Sequence, residues 1–183
     1  MKSRSEATIT DLYQIPENAK AEIVNGEIVL MSPTGGIPGR AGGKIYRSLD
    51  DYEQQTGNGY AFPDNVGFTV NLPTRKSFSP DAAFHPGPLQ GGHFLAGAPL
   101  FAAEVRNEYD YGPAAEEEIA AKRADYFAAG TLVVWDVDVL RDMVVRVYRA
   151  DAPDNPTVYR SGDIAEAEPA LPGRRIPVDV ILP

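Results

Sequence analysis

The stretch "LFAAEVRNEYDYGPAAEEEIAAKRADYFAAGTLVVWDV", residues 100–137, decides the fold. Its ends are short apolar runs of the kind that make buried strands. Between them, residues 113–129 read as a helix. Pro113 sits at the first turn, Glu116, Glu117 and Glu118 lie near the positive end, and Gly130 stops the helix. Strand, helix and strand in close succession predict an α/β domain with one mixed central sheet. One residue is out of keeping. Glu104 lies inside the first apolar run, and an unpaired carboxylate inside a protein costs several kcal/mol. A cation, a set of hydrogen bonds or a metal has to offset it.

Working outward, residues 131–137 and the following "MVVRVYRA" read as a strand hairpin with its turn near 140–142. Upstream, "YAFPDNVGFTVNL" and "SPDAAFH" read as further strands. "GRAGGKIYRSLDDYEQQTG" reads as an amphipathic helix, with Ile37, Ala41, Ile45, Leu49 and Tyr52 at helical spacing and Gly57 as its cap. Asn25-Gly26 is a strong hairpin signal, flanked by strands at about 21–24 and 27–31. "TITDLYQIPEN" reads as a short helix with Thr8 or Thr10 near its start, ending before Pro16. The tail, with "PTVYR" and "RIPVDVILP", reads as peripheral strands and ordered coil. No repeat or long linker divides the chain, so residues 1–183 are expected to form one domain.

Composition excludes several chemistries. There is no cysteine, which removes disulfides, zinc-thiolate sites and thiol nucleophiles. With two histidines, at 85 and 93, a metal would be held mainly by oxygen, favouring magnesium or manganese. The net charge of −9 argues against a broad basic surface for nucleic acid, though not against a local cleft. No apolar run approaches the roughly 20 residues that span a bilayer, and the polar N-terminus shows no signal peptide. A soluble, cytoplasmic protein without membrane contact is expected.

Glu104 is not the sole odd acid. Asp81, in "FSPDAAF", follows Pro80 and opens a strand-like segment. If the two strands are neighbours, two carboxylates share one end of a sheet. They repel unless a cation intervenes. A magnesium ion is the economical answer, with the Val105 carbonyl as a third protein ligand. Lys122 falls on the inward stripe of the helix with Ala115, Ile119, Tyr126 and Ala129. It either snorkels to water or reaches the acids, and periodicity does not choose between these. Glu22, taken alone, reads as a solvated strand acid.

"SPDAAF", "AAEVR" and "KRADYFAAGTLVVWDVD", in this order and after "EIVNGEIVLMSP", resemble the PD-(D/E)-x-K nuclease superfamily. More closely, they resemble its large bacterial family of "putative restriction endonucleases" of unknown function. The resemblance covers most of the chain. It implies a restriction-endonuclease-like fold, with a mixed central β-sheet flanked by helices and an N-terminal β-hairpin. It also implies that Asp81 and Glu104 bind the divalent ion, that Lys122 is the catalytic cation, and that Glu22 is an auxiliary acid near the metal. The superfamily pattern places lysine two residues after the glutamate. Here that residue is Arg106, which can stabilise charge or hold a phosphate but cannot act as a base, and it is expected as a supporting catalytic residue. Lys122 on the helix would supply the amine instead. Asn107 stands where the family usually has serine, and Gly39 or Arg40 where relatives often have histidine.

The expected activity is metal-assisted phosphodiester hydrolysis with Mg2+ or Mn2+ and a DNA substrate. By analogy alone, a homodimer is expected. The alternative from another class is a catalytically silent scaffold of this fold used for oligomerisation or regulatory binding. A hydrolase of smaller phosphate esters is a third reading. Among other residues, Trp135 is expected in the core, and His85 as a loop histidine without special role. "LQGGHFLAGAP" is expected as a flap over the sheet end, and Asp110 and Tyr111 as residues near the site.

Overall fold

In the computed structural model, which describes residues 6–16 and 19–183, the two apolar runs are adjacent parallel strands joined by a helix. In chain order the elements begin with α1 (Ile9–Tyr13), β1 (Ala21–Val24), β2 (Glu27–Leu30), α2 (Gly36–Thr56) and β3 (Tyr60–Pro63). They continue with β4 (Phe68–Thr69), β5 (Ser77–Phe78), β6 (Ala82–His85), β7 (Leu95–Ala96), β8 (Phe101–Val105) and α3 (Pro113–Ala128). The last are β9 (Val133–Asp138), β10 (Val144–Arg149), β11 (Ala152–Tyr159), β12 (Ile164–Glu166), β13 (Arg175–Pro177) and α4 (Val178–Ile181). The polar N-terminus read above includes residues 1–5, outside the described residues.

Six strands form the central sheet in the order β11-β10-β9-β8-β6-β3. β8 and β9 are parallel and every other neighbouring pair is antiparallel, so the sheet is mixed. Both faces are buried, which is why β8 and β9 read as continuous apolar runs. Phe101, Ala103, Val105, Val133, Trp135 and Val137 point into one cluster with Ile45, Leu49 and Tyr52 of α2. Ala102 and Val134 alternate into a second cluster with Phe68, Phe78 and Tyr126. The helices α2 and α3 therefore cover opposite faces. Among the described residues, no helix is long and apolar enough to cross a membrane.

The N-terminal hairpin forms as its turn residues require. Asn25 and Gly26 have φ of 50° and 77°, the left-handed region that a two-residue hairpin turn demands. Thr8 caps α1 in a reciprocal box with Asp11, and Gly57 ends α2 at φ 63°. Trp135 lies in the core, with its indole N–H on the Glu166 carbonyl at 3.1 Å.

Four expectations are corrected. Ile37 is exposed, and Pro38 takes the buried place one residue on. "YAFPDNVGFTVNL" is not one strand: Asn65 turns at φ 65°, which sends β3 to the central sheet and β4 to a three-stranded sheet of order β5-β4-β7. The glycine-rich segment expected as a flap is partly stitched into that sheet, with Leu95 buried and paired to Phe68. The tail is peripheral only in part. Its β11 forms an edge of the central sheet, and Ile176, Val178, Ile181 and Leu182 are buried in the main cluster beside α2.

Candidate active site

β6 and β8 are neighbours, as the two acids required. Ala82 pairs with Ala103, which sets Asp81 opposite Glu104 at the end of the ladder. The Asp81 N–H donates to the Ala103 carbonyl at 3.1 Å, and the Val105 N–H donates to Asp81 Oδ2 at 2.7 Å. One carboxylate oxygen of Asp81 is thus fixed by the backbone of the neighbouring strand.

Lys122 does not snorkel away. Its Nζ lies 2.9 Å from Glu104 Oε1 and 3.0 Å from Glu22 Oε1. The hairpin delivers Glu22, because Ile23 bonds to the 76–77 segment through Lys76 N–H to Ile23 O (3.0 Å) and Ile23 N–H to Ser77 Oγ (3.0 Å). Glu22 is 2% exposed, so it is not the solvated acid expected from the hairpin alone. The Ser79 N–H donates to its Oε1 at 2.8 Å, and Arg75 holds its Oε2. Arg75 in turn bonds Asp125 of α3 at 2.9 Å, which ties the hairpin to the helix that carries the lysine. The Tyr126 hydroxyl donates to Glu104 Oε1 at 2.6 Å, with its ring stacked on Phe78 at 3.9 Å.

The protonation tendencies follow from these contacts. Burial pushes the Glu104 carboxyl above its ordinary range. Lys122 pulls it back, while Asp81 and Glu22 push it further up. Burial would raise Glu22 too, but Lys122, Arg75 and the Ser79 N–H together hold it below its ordinary value. Burial disfavours the Lys122 ammonium, and the two glutamates more than reverse this, so it stays charged.

Arg106 does not join this cluster. Its Nε and Nη2 each bond Asp136 at 2.7 Å, Nη2 also bonds Glu116 at 3.0 Å, and Nη1 bonds Glu116 and the Asp110 carbonyl (3.2 Å). All five guanidinium N–H groups are spent, so none is left for a phosphate. Asp110 caps the Asn107 N–H at 2.7 Å, and Tyr111 turns to Asp138 at 2.8 Å. His85 is buried in β6, bonded to the Ala96 carbonyl at 3.1 Å and the Gly87 N–H at 2.9 Å.

The cluster also includes residues that the sequence did not single out. Lys20 bonds Asp81 Oδ1 at 2.8 Å and Asp64 Oδ1 at 2.7 Å. Arg75 anchors Glu22 as described. The parity of β1 carried a signal for Lys20, since residues 20 and 22 fall on one side of an extended chain. Arg75 lies in "NLPTRKSF", which gives no such signal. A cleft of about 140 Å³ opens onto Asp81 and Asp64 between Thr34, Gly39, Gly42 and Tyr46.

Among the described residues, no three His, Asp or Glu side chains converge into a ready-made metal cage. Asp81 and Glu104 are a smaller pair of oxygen donors, facing each other across the end of the β6–β8 ladder. Five carboxylates (Glu22, Asp64, Asp81, Glu104 and Asp125) bond to three cations (Lys20, Arg75 and Lys122), so the network has a formal charge of two negative. Both described hydrogen bonds of Glu104 fall on Oε1, and its side chain keeps 27% exposure. All the donors are hard oxygens, suited to magnesium or manganese.

This fold, with acids at the mouth of a mixed sheet, is one of a known class. Residues 9–179 match the model of the Uma2 family, described as "Putative restriction endonuclease", and the chain belongs to that family. No curated protein matches the chain. Among solved structures, it is similar to a "putative nuclease belonging to DUF820" from Anabaena variabilis, at 15% identity and a TM-score of 0.75. That match covers 96% of this chain and 97% of the other, and it establishes likeness of fold.

Proposed function

We propose that the chain is a divalent-metal-dependent nuclease that hydrolyses phosphodiester bonds in DNA. Asp81, Glu104 and the Val105 carbonyl would hold a magnesium or manganese ion, with Glu22 as the auxiliary acid behind them. When bound, the ion would lower the pKa of a water and offset charge on the phosphate in the transition state. The observation that carries this reading is Lys122. Its ammonium is held between Glu22 and Glu104, one strand away from Asp81, in a chain of this family. We read Lys122 as a cation and not as a general base, because two carboxylates hold its ammonium. Two carboxylates engage two of its three N–H donors, and the third would orient an attacking water or meet a phosphate oxygen. Arg75 and Glu22 position that ammonium. Arg106 contributes by clamping the start of α3 to β9 through Glu116 and Asp136.

The test is magnesium-dependent cleavage of a panel of duplex DNA, single strands and nucleotides by identically purified proteins. Cleavage of DNA is expected, and Asp81→Ala is expected to abolish it. Equal cleavage by the variant would reject the assignment. Manganese titration calorimetry addresses the silent-scaffold reading, because that reading requires no ion binding at millimolar concentration. Binding that Glu104→Gln abolishes would oppose it.

A further inference from the structure

Lys20 stands where a metal ligand's lone pair should be free. Asp81 has two carboxylate oxygens. Oδ2 is fixed by the Val105 N–H at 2.7 Å, and Oδ1 carries the Lys20 ammonium at 2.8 Å. An ion that uses Asp81 therefore meets Lys20 at the one oxygen the backbone leaves open. We propose that Lys20 is a resident counter-ion of Asp81, a built-in competitor that a divalent cation displaces toward Asp64. The proposal rests on the metal-site reading given above.

Three observations support an exchange over a permanent pair. Lys20 already has its second partner, Asp64 Oδ1, at 2.7 Å, so it leaves Asp81 without losing every contact. Asp64 is the more exposed of the two acids, at 44% against 18%, so an ammonium drawn to it is better hydrated. The network also has a formal charge of two negative with Lys20 counted in, so a doubly charged ion at Asp81 is the better match to the surrounding field. The cleft onto which both acids open provides the path for the exchange. The exchange forms an ion–carboxylate contact and breaks an ammonium–carboxylate contact, while Lys20 keeps its ion pair with Asp64.

Two measurements test this. In manganese titration calorimetry, Lys20→Met keeps the stem and removes the competitor, so it is expected to bind the ion about two- to fivefold more tightly than the parent, the worth of a modest ion pair. In the unaltered protein, acetic anhydride labelling of Lys20, followed by mass spectrometry, is expected to speed up several-fold on saturation with manganese. Lys44, bonded to the Leu182 carbonyl at 3.0 Å, serves as the unchanged reference. Equal or weaker ion binding by the variant overturns the inference. So does unchanged Lys20 labelling in a protein that binds the ion, and either result leaves the metal site itself standing. Absence of binding heat in both proteins overturns the inference and the metal-site reading together.

Discussion

At the scale of single residues, Glu22 shows how the cluster is held. A carboxylate so enclosed needs its charge matched within its own shell. Arg75, Lys122 and the Ser79 N–H do this. Removing one partner of a buried pair leaves the other uncompensated, at about 3–5 kcal/mol. Arg75→Met is therefore expected to lower the urea unfolding free energy by roughly that amount. Glu22→Gln combined with Arg75→Met should recover part of the loss, and a fully additive pair would refute the coupling. The same physics explains what was legible. Asp81, Glu104 and Lys122 stood out because each is a charge within an apolar pattern. Arg75 did not, because in a polar segment an arginine has no reason to attract notice, and nothing local to it reveals that Glu22 is buried. Nor did the sequence around Arg106 show that Asp136 and Glu116 would claim its guanidinium.

At the scale of elements, the β9–β10 turn depends on one carboxylate. Asp138 Oδ1 accepts the Leu140 and Arg141 N–H groups at 3.1 and 2.9 Å and the Tyr111 hydroxyl at 2.8 Å. Burial would raise its pKa, but these donors more than offset that and hold it below its ordinary 3.8. A folded value below the unfolded one means that the carboxylate stabilises the fold above the unfolded value. That contribution is lost as pH falls through the lower folded value. Asp138→Asn should then be less stable than the parent at about pH 6 and show a shallower loss on acidification below about pH 4, measured as urea midpoints. A parallel loss in both proteins would refute this. Long periodic elements were plain in the sequence: α2, α3, the Asn25-Gly26 hairpin and the apolar β8 and β9. The two-residue strands β5 and β7 were not, since so short a pairing is set by its neighbours and leaves no period behind. The four-residue α4 was missed for the same reason.

At the scale of the molecule, the tail completes the core. Val178, Ile181 and Leu182 are buried against the α2 side of the central sheet. Fully burying such side chains is worth about 1.5–3 kcal/mol each. Their sum is comparable to the roughly 5–15 kcal/mol that holds a domain together. A chain ending at Pro177 should lose cooperative thermal unfolding by calorimetry, and an unchanged transition would show the tail to be dispensable. The central sheet also bears on how copies meet. Its two outermost strands are β3 and β11. The first ends in Pro63. The second carries Pro153 and Pro156 and slips register against β10 between Val147 and Arg149. Proline withholds the N–H that an incoming chain would grip, and a bulge bends the rim away from it. Both rims therefore carry features that oppose fibre-like stacking, and a twofold pairing is expected to use another surface instead of continuing the sheet.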